Sequence, residues 1–206
     1  MNPILEVRNL SYGYENEKKI FEDFNLVVNQ GDIVCIEGNN GCGKTTLLNC
    51  ITGVINNFNS IYIFNQSVKS HTKLAKNISY VMNEDFLYDH LTVKENINYF
   101  KILFNGNSHY DNEIEYYMNI LGINSYNNFL VKELSQGNRH KLYIAIMLSK
   151  EFEVLVLDEA FTSLDKNSQI KMLELVINRL ENLKKTIIFV THIEEFKKVS
   201  TRNIIL

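Results

Sequence analysis

Residues Gly38-Asn-Asn-Gly-Cys-Gly-Lys-Thr-Thr46 carry the spacing G-x-x-x-x-G-K-[ST], and their surroundings limit the folds open to this chain. They follow a strand-sized apolar run, Ile33-Val-Cys-Ile36, and lead into Lys44 to Ile51, whose pattern predicts the first turns of a helix. The glycines explain why such a loop binds phosphate. Gly38, Gly41 and Gly43 allow backbone angles that turn successive N–H groups inward as a nest for anionic oxygens. The helix starting near Lys44 adds the positive end of its dipole. Lys44 is placed to neutralise the β- and γ-phosphates, and Thr45 to offer a hydroxyl to Mg²⁺. Asn39, Asn40, Cys42 and Thr46 complete the nucleotide-binding loop.

The rest of the chain alternates between the two regular periods. Ile4–Leu10, Phe24–Val28, Ile61–Phe64 and Ile78–Met82 read as strands, with a polar turn at Asn29-Gln-Gly-Asp32. Leu91, Val93, Ile97, Phe100 and Leu103 are spaced for a helix, and Ile114, Tyr117, Met118 and Leu121 for another. This middle segment is the best candidate for a separate subdomain. A helix from Gln136 to Ser149, a strand Val154–Leu157 and a helix from Asn167 to Asn182 follow. The chain then runs through a strand Thr186–Val190, a short helix Glu194–Val199 and a strand Asn203–Leu206. Strands alternating with helices imply a mostly parallel sheet covered on both faces. At 206 residues there is room for one domain carrying a small subdomain, not for two full domains.

Phe152-Glu-Val-Leu-Val-Leu-Asp-Glu159 is an apolar strand ending in two carboxylates. Downstream of a phosphate loop, Asp158 at the strand tip suits a magnesium-bound water, and Glu159 suits a general base acting on the attacking water. Before that strand stands Leu134-Ser-Gln-Gly-Asn138, followed by a basic helix.

Together these motifs resemble the ATP-binding subunit of ATP-binding cassette (ABC) transporters, over the whole chain and in the family's order. Leu134–Asn138 resembles the family's signature loop, usually L-S-G-G-Q. Tyr14 sits where the family stacks an aromatic ring on adenine, with Tyr12 as the alternative. Ser163-Leu-Asp165 resembles the loop that reaches across a dimer. His192, closing Thr186-Ile-Ile-Phe-Val-Thr-His, matches the switch histidine at the γ-phosphate. The fold the resemblance implies is α/β: a P-loop NTPase core with a mostly parallel sheet, an N-terminal antiparallel β subdomain and a small inserted α-helical subdomain. The whole chain, 1–206, is then one ABC ATPase domain, with the helical subdomain at about 84–150.

By the same resemblance, ATP and Mg²⁺ are the cofactors. Lys44, Glu159 and His192 are catalytic, and Thr45, Asp158 and Asn83 are metal ligands. ATP held at Gly38–Thr46 of one chain is covered by Ser135 and Gly137 of a second cassette, identical or different. An integral membrane permease is the other partner, docking beside Asn83 to Leu130, and places the subunit on the cytoplasmic face of the membrane. The segment Phe86–Asn96 and Arg139-His-Lys141 look most like subunits of bacterial exporters for peptides, drugs or lipids.

Three departures stand out. Asn83 replaces the family's usual Gln after the strand and is one methylene shorter. Gln136 and Asn138 replace Gly and Gln in the signature, and Ala160 stands where Pro commonly follows the catalytic Glu. With Lys44, Ser135, Asp158, Glu159 and His192 all present, a hydrolysis-competent site is expected.

The competing class is a soluble ABC ATPase acting in translation or DNA repair. Those relatives carry two cassettes, or long coiled coils between phosphate loop and signature, and this sequence carries neither. A P-loop kinase or GTPase would lack the signature, and no guanine-reading Asn/Thr-Lys-x-Asp motif is present. The net charge of −3 and isoelectric point near 6.0 argue against a nucleic-acid partner. Three cysteines (Cys35, Cys42, Cys50) at these spacings suit neither a disulfide framework nor a zinc site. Met1-Asn-Pro-Ile lacks the features of a secretion signal, so a cytosolic, minimal cassette is expected.

Overall fold

A computed structural model of the chain describes residues 3–14, 19–55, 60–67, 74–175, 178, 180 and 182–206. Its first two strands, β1 (Pro3–Tyr12) and β2 (Phe21–Asn29), pair antiparallel. Leu5 and Val7 of β1 point inward and Arg8 outward, the period of 2 that a half-buried strand requires. Asn9, at φ 48°, then breaks the register between Val7 and Leu10, so that Leu10 also faces the core. This is the local effect of a β-bulge.

β3 (Ile33–Glu37) leads through the glycine loop into α1 (Lys44–Thr52). β4 (Ile61–Ile63) and β5 (Gln66–Ser67) follow and join the antiparallel sheet, whose order is β2-β1-β4-β5. The expected strand Ile61–Phe64 stops one residue early. Phe64 (φ 50°) and Asn65 (φ 59°) form a two-residue hairpin turn with both residues at positive φ. Asn tolerates that conformation well; Phe gives no such sign in the sequence.

β6 (Ile78–Val81) enters a second sheet, and three helices separate it from its neighbour: α2 (Val93–Leu103), α3 (Ser108–Leu121) and α4 (Gln136–Ser149). Helix α2 starts with a reciprocal capping box between Thr92 and Glu95, and Asn107 caps α3, extending it upstream of the apolar stripe. Then come β7 (Val154–Asp158), α5 (Lys166–Leu175), β8 (Thr186–Val190), α6 (Glu194–Lys197) and β9 (Arg202–Ile205). The later part of the helix expected to reach Asn182 falls partly on residues outside those described.

The second sheet is wholly parallel, in the order β6-β7-β8-β3-β9. Alternation along its strands divides the protein into two cores. Ile33, Cys35, Leu155, Leu157, Ile187 and Phe189 point to the face covered by α3 and α4. Val34, Ile36, Val154, Val156, Ile188 and Val190 point to the other face, against α1 and the antiparallel sheet. The central strands β3, β7 and β8 are buried on both sides, which is why they read as nearly unbroken apolar runs. The expected α/β fold, with its parallel core and separate antiparallel sheet, is the observed one.

The register pairs Val81 with Leu157 and Asp158 with Val190, so β6, β7 and β8 end at one edge, and β3 runs parallel beside β8. The loops after these strands therefore converge outside their carboxyl ends, where open α/β sheets bind ligands.

Candidate nucleotide-binding and hydrolysis site

The loop after β3 wraps around its own lysine. Lys44 is nearly buried, and its Nζ donates to the carbonyls of Gly38 (2.9 Å) and Asn39 (3.0 Å). The ammonium thus fixes the loop as well as charging it. Gly43 sits at φ 104° as the residue before α1, and a Cβ there would lie 2.4 Å from Ile20 Cγ2. Only glycine fits, on both conformational and steric grounds. At Gly38 a Cβ would lie 2.6 Å from Cys42 Sγ, so Cys42 is packed against the loop's first glycine.

Residues Asn40 to Thr46 line a cleft of about 1020 Å³ together with Tyr14, Lys19, Ile20, Glu159 and His192. The expected aromatic residue is among them. Tyr14 is half exposed, its hydroxyl 3.4 Å from Thr46 Oγ1, and Tyr12 meets its ring edge-on at 5.2 Å. Tyr14, not Tyr12, lines the cleft. Lys19 and Ile20 carry no sequence signal, because nothing in a lone Lys-Ile pair before a strand distinguishes them from ordinary turn residues. Since Cys42 lines the cleft, a maleimide on its thiol should block ATP binding, with ATP protecting. The Cys42→Ser protein, assayed in parallel, should be indifferent to the reagent.

Beneath the loop, at the tip of β7, the Asp158 side chain is 8% exposed. Burial pushes its carboxyl above the usual carboxylate range, while hydrogen bonds with the Thr45 and Tyr80 hydroxyls and the charge of Lys44 act in the opposite direction. A hydroxyl beside a buried carboxylate is an oxygen-only donor pair of the kind Mg²⁺ takes. With the glycine cradle and Lys44, the residues present fit Mg²⁺-bound nucleoside triphosphate.

Glu159, the next residue, holds φ 49°, a left-handed conformation that a non-glycine residue adopts at a cost of about 1–2 kcal/mol. Its N–H donates to Val190 O (3.0 Å), and Thr162 donates to its carbonyl from both N (3.1 Å) and Oγ1 (2.7 Å). The turn aims the carboxylate into the cleft, where Oε1 lies 3.0 Å from His192 Nε2 in the loop after β8. A carboxylate and an imidazole in contact, both partly exposed and opposite the phosphate loop, can hold and relay the proton of an attacking water.

Ser135 and Gly137 lie elsewhere. Ser135 caps α4, accepting from Asn138 N (3.2 Å), and neither residue lines this cleft. Asp165 caps α5, accepting from Ser168 N (2.9 Å) and Oγ (2.7 Å), and pairs with Lys141 Nζ at 2.8 Å. The Lys141 ammonium and the Ser168 hydrogen bonds hold its carboxyl well below the usual range. Asn83 is exposed beyond β6, with Oδ1 3.5 Å from Thr162 Oγ1; it touches the turn that carries Glu159 but is not among the residues lining the cleft.

A phosphate loop between a parallel strand and a helix, with paired carboxylates at the end of another strand of the same sheet, two places along, defines a P-loop nucleotide hydrolase. The family model described as ABC transporter matches residues 21–162. The chain is 30% identical to the ergothioneine transport ATP-binding protein EgtV of Helicobacter pylori, over 99% of this chain and 97% of that one. It is 31% identical to the probable ABC transporter ATP-binding protein p29 of Mycoplasma pneumoniae, over 100% and 89%. It is likewise 31% identical to the aliphatic sulfonates import ATP-binding protein SsuB of Bacillus anthracis, over 98% and 80%. The fold is similar to that of an ABC transporter ATP-binding subunit (TM-score 0.88, 24% identity, 98% of this chain and 85% of that one). It is also similar to a dimeric ATP-binding cassette in a post-hydrolysis state with ADP and Pi (TM-score 0.85, 23% identity, 98% and 94%). The chain belongs to the ABC transporter family, as an ATP-binding cassette with ATPase activity.

Proposed function

We propose that this ATPase energises transport through a separate membrane permease, by closing two cassettes around ATP and reopening them after hydrolysis. The observation that carries the reading is the division of the motifs. Lys44, Thr45, Glu159 and His192 line or adjoin one cleft, whereas Ser135 and Gly137 stand at the start of α4, outside it. A second cassette supplying its Ser135–Asn138 segment completes the cover over the γ-phosphate, and its helix α4 points a positive N-terminus there. Thr45 and Asp158, with Asn83 as a further candidate, would hold Mg²⁺, which would supply charge neutralisation to the triphosphate. Lys44 and the loop N–H groups orient the phosphates, Glu159 takes the proton from the attacking water, and His192 steadies Glu159. The closing loops exclude bulk water from these charges.

Among the described residues no helix is long and apolar enough to cross a membrane. In this reading the transport path is formed by the permease. The exposed Phe86, Tyr88 and Tyr99, in the segment that follows Asn83, offer the permease an aromatic docking surface. Export rests only on the resemblance of Phe86–Asn96 and Arg139-His-Lys141 to exporter subunits, and SsuB, among the relatives, is named for import. Direction and substrate are properties of the permease. The test is affinity purification from detergent-solubilised membranes of the native host. A multi-spanning protein recovered in near-equal amount is the expected result; recovery of ribosomes, nucleic acid or soluble proteins alone would overturn the transport reading. Uptake and efflux by vesicles holding the purified complex then decide direction.

A further inference from the structure

Helix α4 begins at Gln136, and three consecutive residues in its first two turns reach two loops, the one after β6 and the one between β7 and α5. Arg139 pairs with Asp85 through Nε (2.7 Å) and also with Asp89, both in the segment after β6. Lys141 pairs with Asp165 before α5. Between them His140, 4% exposed, lies with Nε2 2.7 Å from the carbonyl oxygen of Ala160, the residue after Glu159. Consecutive helical residues diverge by about 100°, so one turn of α4 braces the segment after β6 and both ends of the β7–α5 loop.

We propose that His140 is a positioning residue for the catalytic base: its Nε2–H, donated to the Ala160 carbonyl, holds the Ala160–Phe161 peptide and through it the turn that keeps Glu159 in the cleft. The inference rests on the reading of Glu159 as the base. A carbonyl oxygen only accepts, so Nε2 is the ring nitrogen that carries hydrogen. The need for a brace follows from the backbone. Glu159 occupies a left-handed conformation that its side chain disfavours, and such conformations persist where surrounding bonds over-determine them. The hydrogen bonds to Glu159 itself come from β8 and from its own turn. That from His140 acts on the far side of the Glu159–Ala160 pair and comes from the signature helix. Burial lowers the tendency of the His140 ring to take a second proton, which keeps it a neutral, single-tautomer donor near pH 7. Ala160 is itself buried, so an apolar replacement of His140 leaves its carbonyl without a partner or water.

The experiment compares full-length wild type, His140→Leu, His140→Gln, His140→Asn and Glu159→Gln. It reads ATP affinity, the Mg²⁺-ATP hydrolysis rate and deuterium exchange of the amides from Asp158 to Leu164. His140→Leu should lower kcat about a hundredfold, as a displacement near 1 Å does, with ATP affinity unchanged and faster exchange in that segment. His140→Gln, whose terminal amide reaches the same carbonyl, should restore most of the rate and the slow exchange. His140→Asn falls short of the carbonyl and should behave as His140→Leu, which keeps the comparison available if the leucine variant fails to fold. Wild-type kcat and exchange in His140→Leu, or equal losses in the glutamine and asparagine variants, would overturn the proposal. Should Glu159→Gln hydrolyse ATP as wild type does, the base assignment fails, and the exchange comparison alone then decides whether His140 holds the turn.

Discussion

Glu159→Gln should bind Mg²⁺-ATP as tightly as the wild-type protein and hydrolyse it on the order of 10²–10⁴-fold more slowly, the range a general base contributes. The glutamine keeps the volume of the side chain and the turn that presents it, since the positive φ and the bonds to Val190 and Thr162 belong to the backbone. It loses the negative charge that accepts a proton and that faces His192 across 3.0 Å. Because ATP then stays bound, a dimer with two trapped nucleotides should accumulate. Light scattering after gel filtration with ATP and Mg²⁺ is the check, and monomer alone would count against the two-cassette site. His192→Ala leaves the carboxylate in place and should slow hydrolysis less than Glu159→Gln does.

Lys44→Ala carries the other large effect, on binding. The ammonium is nearly buried and donates to two loop carbonyls, so its removal acts twice. The phosphates lose a charged hydrogen-bond donor worth about 1.5–3 kcal/mol, or roughly 10- to 150-fold in affinity. The carbonyls of Gly38 and Asn39 lose their partner, which loosens the cradle before ATP arrives. Titration of a fluorescent ATP analogue should show the affinity loss, and Lys44→Arg should not restore it, because the larger guanidinium cannot enter the space the loop encloses.

Much of this architecture is legible in the chain because it is local. The strand Thr186–Val190 and the helix Gln136–Ser149 occupy their expected residues, since an apolar run bounded by polar turns and a serine cap are self-contained signals. The glycine loop is legible for the same reason: neighbouring residues set its conformation, and Gly43 has to be glycine for the chain to turn there. Other features depend on distant partners. The end of β4 at Ile63 follows from a hairpin turn that puts Phe64 at positive φ, against its preference, so that a two-residue strand can pair. The choice of Tyr14 over Tyr12 at the cleft depends on which ring the register of β1 and β2 leaves outside the core.

The sequence by itself determined the class of chemistry, through contiguous motifs at fixed spacing: a phosphate cradle at Gly38–Thr46, an acidic strand tip at Asp158-Glu159 and a basic helix after Ser135. Only the tertiary structure decided which of these share a site. The parallel order β6-β7-β8-β3-β9 brings the ends of β3, β7 and β8 together, so residues as far apart in the chain as Lys44, Glu159 and His192 line one cleft, while Ser135 and Gly137 do not. The contact of His140 with the Ala160 carbonyl likewise spans 20 positions and has no sequence signature. The physical reason is common to both. Motifs encode short-range backbone geometry, whereas the meeting of loops is set by strand order and by burial on both faces of a sheet, which every residue of the core decides together.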